Sequence, residues 1–340
     1  ISKINFKYNF NKEKNANLID KDKIQKTFKG WQFSGTNIPL KLVEKETPSA
    51  VPGRVILEVK AAGLCHSDVS ALEDPSWKPY FKLPVILGHE TAGIVIEVGE
   101  GVKDLKLGDR VGIVSYDPID NVGIGNNNDG GYATRVSVPA KQCVKLPDCI
   151  SFVEGAASTD AGSTAYHALF TVGGAKEGMK IGIIGIGGLG HFAVQMAIIK
   201  GCEVYGSDIS SAAIKLGEEL GCKEVYKSVL EMKKVECDII VDFAGFGTTT
   251  ADAVIAVKQK GKVVVVGMGK SFSTINTAIM IMKEVTVVGS KGSNSEDLRG
   301  VYECFKTGKM KPKLTIIKFE EIPEGLEKIK NGQVIGRLVA

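Results

Sequence analysis

No C-x-x-C pair occurs anywhere in the 340-residue chain. Its seven cysteines, Cys65, Cys143, Cys149, Cys202, Cys222, Cys237 and Cys304, are scattered and odd in number. Disulfide frameworks belong to short secreted chains, so this pattern implies a reducing, cytoplasmic setting. Apolar runs are short too. None approaches the roughly 18 residues that a spanning helix needs, and no membrane partner is expected. A surplus of charge is also missing, with a net charge of only +4. Most of that is local. Residues 1–29 hold eight lysines against Glu13, Asp20 and Asp22. The remaining chain is close to neutral, which excludes a general attraction to nucleic acid or to an anionic surface. Residues 1–28 show no apolar core ahead of a small-residue cleavage site, and they contain acids but no arginine. Neither a secretory signal nor a transit peptide is expected there.

What is present is a folded, globular composition: 44% hydrophobic, 24% charged, 40 glycines and 11 prolines. At about 100–200 residues per domain, the length suggests two domains. From Trp31 to about residue 158 the texture is β. Segments 54–60, 93–99 and 108–111 read as strands closely punctuated by glycine. Near Gly162 the texture changes. Short apolar strands at 180–185, 203–207, 238–241, 262–266 and 285–289 alternate with helical stretches at 189–200, 211–220 and 249–257. That alternation implies βαβ units and a parallel sheet. A helix at 301–307 and a few short strands close the chain.

The stretch from Lys180 ends in Gly185-Ile186-Gly187-Gly188-Leu189-Gly190, a G-x-G-x-x-G. Among many glycines the pattern alone says little. Here it follows an apolar strand, opens a helix, and is followed by a second strand ending at Asp208. This is the context that a dinucleotide turn requires. Gly185 makes the tight turn, Gly187 admits a pyrophosphate, and Gly190 lets helix and strand pack closely. The helix N-terminus offers N–H groups to the phosphates. Asp208 can accept from a ribose diol and repel a 2′-phosphate, which favours NAD over NADP; as a turn residue or helix cap it would do neither.

Two further strings, Gly63-Leu64-Cys65-His66-Ser67-Asp68 and Gly88-His89-Glu90, carry little by spacing alone. Together with the glycine turn they are specific. The chain resembles the zinc-dependent alcohol dehydrogenases of the medium-chain dehydrogenase/reductase superfamily. The resemblance runs from about Gly30 to Ala340 and includes A-A-G-L-C-H-S-D at 61–68, L-G-H-E at 87–90, the glycines and G-D-R-V of 98–111, T-D-A-G at 159–162, the turn at 185–190 and G-R at 336–337. It implies an α/β fold with a GroES-like β-rich catalytic domain (30–161 and 301–340), a Rossmann domain (162–300) and an N-terminal extension (1–29).

The resemblance also implies roles. Cys65 and His89 match catalytic zinc ligands. The third ligand is usually Cys, and Asp160 stands in its place, which makes the donor set harder. Glu90 matches a carboxylate near the metal that can serve as a fourth ligand. Three protein ligands with one open position describe a catalytic zinc. Ser67 matches the hydroxyl that accepts the substrate proton, and Asp68 the carboxylate that orients the histidine ligand. The next relay position holds Ser70. His66 and Arg337 match contacts to the cofactor phosphates, alongside Gly188 and Leu189 of the turn. Trp77, Ser115 and Tyr132 fall where relatives line the substrate pocket, and the two aromatics could equally be core. Relatives often carry a second zinc on four cysteines; the matching stretch, 115–132, has none. No structural zinc is therefore expected, and Asp117, Asp120 and Asp129 are cation ligands or solvated turn residues. His167 and His191 read as structural.

The expected activity is reversible, NAD-linked oxidation of a primary or secondary alcohol to an aldehyde or ketone, by a homodimer or homotetramer. A metal-free enone or quinone reductase of the same superfamily would not need Cys65, His89 and Asp160. A non-enzymatic NAD-binding protein would not need Ser67.

Overall fold

The computed structural model of the protein describes residues 26–340. Most of the lysine-rich head therefore lies outside the described residues. Its last residues enter strand Thr27–Phe33, which pairs antiparallel with Lys41–Glu46 and with Val85–Ile86.

The β-rich half is built on Arg54–Leu64. This strand lies between Glu90–Val98 and Arg337–Val339, all antiparallel, and also pairs with Arg135–Pro139. Two register relations place the site. Gly63 lies opposite Glu90 on one side and opposite Val339 on the other. The C-terminal strand thus returns to the point where the first long strand runs into Cys65.

The second half is a six-stranded parallel sheet in the order Val225–Tyr226, Glu203–Ser207, Lys180–Ile184, Ile239–Asp242, Lys262–Val265, Thr286–Gly289. The order reverses at Lys180–Ile184, which is a doubly wound Rossmann arrangement with its ligand crevice beside that strand. Covered on both faces, these strands read as near-continuous apolar runs, such as buried Ile181, Ile183, Ile184, Ile239, Ile240 and Val241. Val225–Tyr226 is too short to carry such a signal.

A single helical run, 152–172, joins the two halves. It begins with a capping box in which the Ser151 and Glu154 side chains each bind the other's backbone N–H. It then loosens into a π-helical turn, Ser158–Gly162. Ser158, Thr159 and Ser163 each donate a hydroxyl hydrogen bond to a carbonyl one turn earlier, at 2.6, 2.7 and 2.7 Å. Such back-bonding competes with the helix ladder and bends it. The domain boundary expected at 161/162 falls inside this run. Its Ala161, Ala165 and Leu169 share one core with Ala61 and Ala92 of the β-rich half and with Phe192 and Val301. The helix expected at 301–307 starts earlier, at Ser295, where Asn294 caps it in a box with Asp297.

Candidate active site and cofactor turn

Cys65 follows the strand Arg54–Leu64 and caps the helix His66–Glu73. His89 and Glu90 stand at the start of the facing strand. Asp160 projects from the π-helical turn, and single-turn π segments recur at functional sites. One donor atom from each of Cys65, His89, Glu90 and Asp160 lies within 4.8 Å of all the others. Among the described residues this is the one such grouping of metal-capable side chains.

The imidazole is held from both ends. His89 Nδ1 lies 3.4 Å from Asp68 Oδ1, while Nε2 lies 3.3 Å from Ser67 Oγ and 3.7 Å from Asp160 Oδ2. Cys65 Sγ is 3.7 Å from the same Asp160 oxygen. Asp160 Oδ1 accepts from Thr164 Oγ1 at 3.1 Å. Thr164 was not singled out from the sequence. It stands one helical turn beyond Asp160, which becomes a signal only once the helix is known to run through 160.

Glu90 is completely buried and meets Arg337, whose side chain is 7% exposed. Arg337 Nε donates to Glu90 Oε2 at 3.1 Å, and a second guanidinium nitrogen donates to Glu90 Oε1 and to Asp160 Oδ2, the latter at 3.4 Å. Two glycines make room for this pair. A Cβ on Gly63 would sit 2.0 Å from Glu90 Oε2, and one on Gly188 would sit 2.6 Å from an Arg337 nitrogen. Gly188 therefore joins the dinucleotide turn to the donor cluster. The role of Gly63 was also unread, although a strand glycine two residues before a ligand-type cysteine signals a close approach.

The electrostatics follow from this crowding. Burial opposes protonation of His89, but the charge of Asp68, then hydrogen bonds with Asp160, Asp68 and Cys65, hold the imidazole well above its usual range. Burial alone would lift the Cys65 thiol; Arg337 and His89 bring it below its ordinary value. Burial would raise the Asp160 carboxyl, but the hydrogen bond and charge of His89, joined by hydrogen bonds with Thr164 and Cys65, bring it below its ordinary value. The cluster is anion-rich, and a proton on His89 balances it. A divalent cation in the same place would do so too and displace that proton. Thiolate, imidazole and carboxylate donors together suit zinc.

The glycine turn takes the expected shape. Gly185 has φ +82. A Cβ on Gly190 would strike the Gly185 carbonyl at 1.8 Å, whereas one on the exposed Gly187 would meet nothing within 4 Å. The turn is thus tight inside and open outside, as a pyrophosphate requires. Leu189 leads into the helix Gly190–Ile199, where the N–H groups of His191 and Phe192 donate to the Gly187 and Leu189 carbonyls at 3.2 and 3.0 Å and tie the helix start to the turn. Across the crevice, buried Asp242 accepts from the N–H groups of Ala244 and Gly245 and from the hydroxyls of Thr249 and Thr250, fixing the opposite loop. Asp208 accepts from Ile186 N–H at 2.8 Å and from Ser210 N–H at 2.9 Å, so its carboxylate ties the second strand to the glycine turn. His66 stands at the start of its helix, where desolvation and then the charge of Arg337 lower its imidazole pKa.

The pocket residues fare differently. Trp77 is half-buried in the 3-10 turn Pro75–Tyr80, its ring 6.1 Å from that of Tyr80. Ser115 is half-buried, with its carbonyl taken by Ile124 N–H at 2.8 Å. Tyr132 requires a correction. Its exposure is 0%, and its hydroxyl donates to Asp68 Oδ2 at 2.7 Å, so it supports the cluster from behind instead of lining a pocket. In 115–132 the acids are paired: Asp117 and Asp120 with Lys141, Asp129 with Lys45 at 2.9 Å. His167 and His191 are anchored, His167 Nδ1 to Asp297 and His191 Nδ1 to the Gly187 carbonyl, each at 2.8 Å.

Comparison with known proteins agrees with this layout. Residues 51–148 match the family model of the alcohol dehydrogenase GroES-like domain, and residues 188–307 that of the zinc-binding dehydrogenase. An alcohol dehydrogenase of Geobacillus stearothermophilus is 33% identical over 323 residues, 88% of this chain and 95% of the relative. Among solved structures, acetophenone reductase from Geotrichum candidum in complex with NAD superposes with a TM-score of 0.85 at 30% identity, covering 93% of this chain and 98% of the other. The alcohol dehydrogenase of Aeropyrum pernix gives 0.84 at 29% identity, covering 92% and 99%.

Proposed function

The chain belongs to the zinc-dependent alcohol dehydrogenases of the medium-chain dehydrogenase/reductase superfamily, and we propose that it interconverts a primary or secondary alcohol with its aldehyde or ketone, using NAD and one catalytic zinc. The observation that carries this reading is the linkage of Cys65, His89, Glu90 and Asp160, through Arg337, to the dinucleotide turn at Gly188. The four-donor cluster favours it over a metal-free reductase.

In this reading Cys65, His89 and Asp160 hold the metal, and Glu90 stands beside them, its charge balanced by Arg337. Bound there, zinc supplies Lewis acidity that acidifies an alcohol oxygen. NAD supplies the hydride acceptor. Ser67, on the cluster's edge beside His89 Nε2, takes the hydroxyl proton. Ser70 does not extend the path, because its hydroxyl donates to the His66 carbonyl at 3.1 Å. Gly185, Gly187, Gly188, Leu189 and Gly190 cradle the pyrophosphate, with His66 and Arg337 at its edge, while Asp208 faces the ribose. We assign the catalytic domain to 30–161 and 301–340 and the cofactor domain to 162–300, with the helical run between them as the shared wall. The outer edge of Thr286–Gly289, with exposed Ile281, Met282 and Phe272 nearby in sequence, fits a homodimer or homotetramer. Seven free thiols fit a reducing, cytoplasmic setting. No helix among the described residues is long and apolar enough to cross a membrane.

The test is a NAD-coupled screen of primary, secondary and polyol substrates with and without a chelator, together with elemental analysis. The expected results are chelator-sensitive NAD reduction and about one zinc per chain. Near two zincs would overturn the absence of a structural site. Full activity in zinc-free protein would overturn the metal assignment.

A further inference from the structure

Tyr132 lies outside the ligand set, and from a completely buried side chain its hydroxyl reaches Asp68 beside the site. Its backbone is pinned on both sides: Trp31 N–H donates to its carbonyl at 2.8 Å, and its own N–H donates to the carbonyl of Leu87, two residues before His89, at 2.9 Å. The ring packs beneath Gly88, where a Cβ would lie 2.5 Å from it. The phenol is therefore a fixed point in the wall behind the histidine.

That fixed point acts on Asp68. Asp68 Oδ2 accepts from Tyr132 at 2.7 Å and from the backbone N–H of Cys65 at 3.2 Å. With two donors on one oxygen, the other oxygen is turned toward His89 Nδ1, 3.4 Å away. A carboxylate facing Nδ1 keeps the ring proton on that nitrogen and leaves Nε2 as the lone-pair donor facing Asp160 and Ser67. We infer that Tyr132 is a positioning residue that, through Asp68, sets the tautomer and aim of His89 and thereby the affinity of the site for zinc. This rests on the zinc reading above. Burial, then the charge of Asp68, raises the phenol far above its usual value, so it remains a neutral donor throughout the working range.

Tyr132→Phe removes one buried oxygen and keeps the ring that fills the space under Gly88. The test compares wild type, Tyr132→Phe, Asp68→Asn and the double variant. Each chain is stripped with a chelator and titrated with zinc against a chromophoric competitor, with thermal unfolding of the zinc-free chains as the folding control. Loss of an outer-sphere partner of a metal-bound histidine weakens binding about 10–100-fold, and Tyr132→Phe is expected at the lower end. Acting through Asp68, it should add nothing in the Asp68→Asn background. Cobalt-loaded Tyr132→Phe should also show a shifted visible ligand-field band. A Phe variant that binds zinc as wild type does, or losses that add in the double variant, overturns the inference. A wild type that binds no zinc overturns the zinc reading and this inference with it.

Discussion

Arg337 grips Glu90 as a fork, Nε on one carboxylate oxygen and a terminal nitrogen on the other, with both groups out of solvent. The pair joins residues 247 positions apart. It exists because the C-terminal strand pairs with the end of Arg54–Leu64, directly beside the strand that begins at Glu90. Glu90 thereby carries its charge into the core beside Cys65 and Asp160 without standing alone.

Arg337→Met should strand that charge. Removing one partner of a buried ion pair costs about 3–5 kcal/mol, because the remaining charge stays desolvated. Urea unfolding of the zinc-free chain should show a loss of that order. Adding Glu90→Gln should restore part of it, with the remainder reflecting the Arg337–Asp160 contact. Arg337→Lys should not rescue fully, since a lysine lacks the fork. A loss below about 1 kcal/mol would show that the pair is solvated after all.

Asp208→Ser should shift cofactor preference. The wild-type carboxylate would repel a 2′-phosphate, and in the structure it already holds the N–H groups of Ile186 and Ser210. Serine removes the charge and keeps one acceptor. Hydrogen bonds to charged groups contribute about 1.5–3 kcal/mol, so the NAD to NADP ratio of kcat/KM should fall at least about tenfold. Steady-state kinetics with both cofactors decides it. Wild-type activity with NADP equal to that with NAD would remove the selectivity assigned to Asp208.

His191 governs an acid-side loss of stability. Burial depresses its imidazole to about 4 from an ordinary value near 6.5. The unfolded chain therefore binds a proton at pH values where the folded chain does not. The stabilising contribution is complete above about pH 6.5 and declines as pH falls toward about 4. Its full size is on the order of 3 kcal/mol. His191→Gln, whose amide can still donate to the Gly187 carbonyl but does not titrate, should flatten the unfolding free energy between those limits. An unchanged slope in denaturant titrations from pH 4 to 7 would disprove it.

These residues show what the sequence could and could not reveal. The parallel sheet was legible because its longer strands are apolar runs covered on both faces, and the glycine turn because Gly185 takes a left-handed conformation and Gly190 packs against the Gly185 carbonyl. Cys65, His89 and Asp160 were readable only through family resemblance, since they lie far apart in the chain and only register brings them together. A helix through Ala165–Leu169 is legible from its apolar content, but its extension back through 152–164 is not, because the Ser, Thr and Gly there read as loop; the hydroxyls bond within the helix and open it into π turns. Tyr132 was misplaced for a related reason. An aromatic near a site is apolar by composition, and only the three-dimensional packing shows its hydroxyl on Asp68.

Asp160 stands where the family usually has cysteine, and its helix context sharpens the test of its proposed role as a zinc donor. A residue that caps a helix has extended backbone and bonds the N–H groups ahead of it. Asp160 instead lies inside a continuous helical run, and its carboxylate faces Cys65, His89, Thr164 and Arg337. Asp160→Asn keeps the size and can still accept from Thr164, so the fold should persist with little change in thermal unfolding. It removes the negative charge, and a neutral carbonyl is a poor zinc ligand. Zinc affinity should fall at least about tenfold, with turnover falling alongside. Asp160→Cys should recover metal binding, because a thiolate restores the charge and suits the ion. Competition titration of zinc and alcohol oxidation, measured on the same preparations, check both statements. An Asn variant with full zinc and full turnover would remove Asp160 from the ligand set and leave Glu90, released from Arg337, as the third donor.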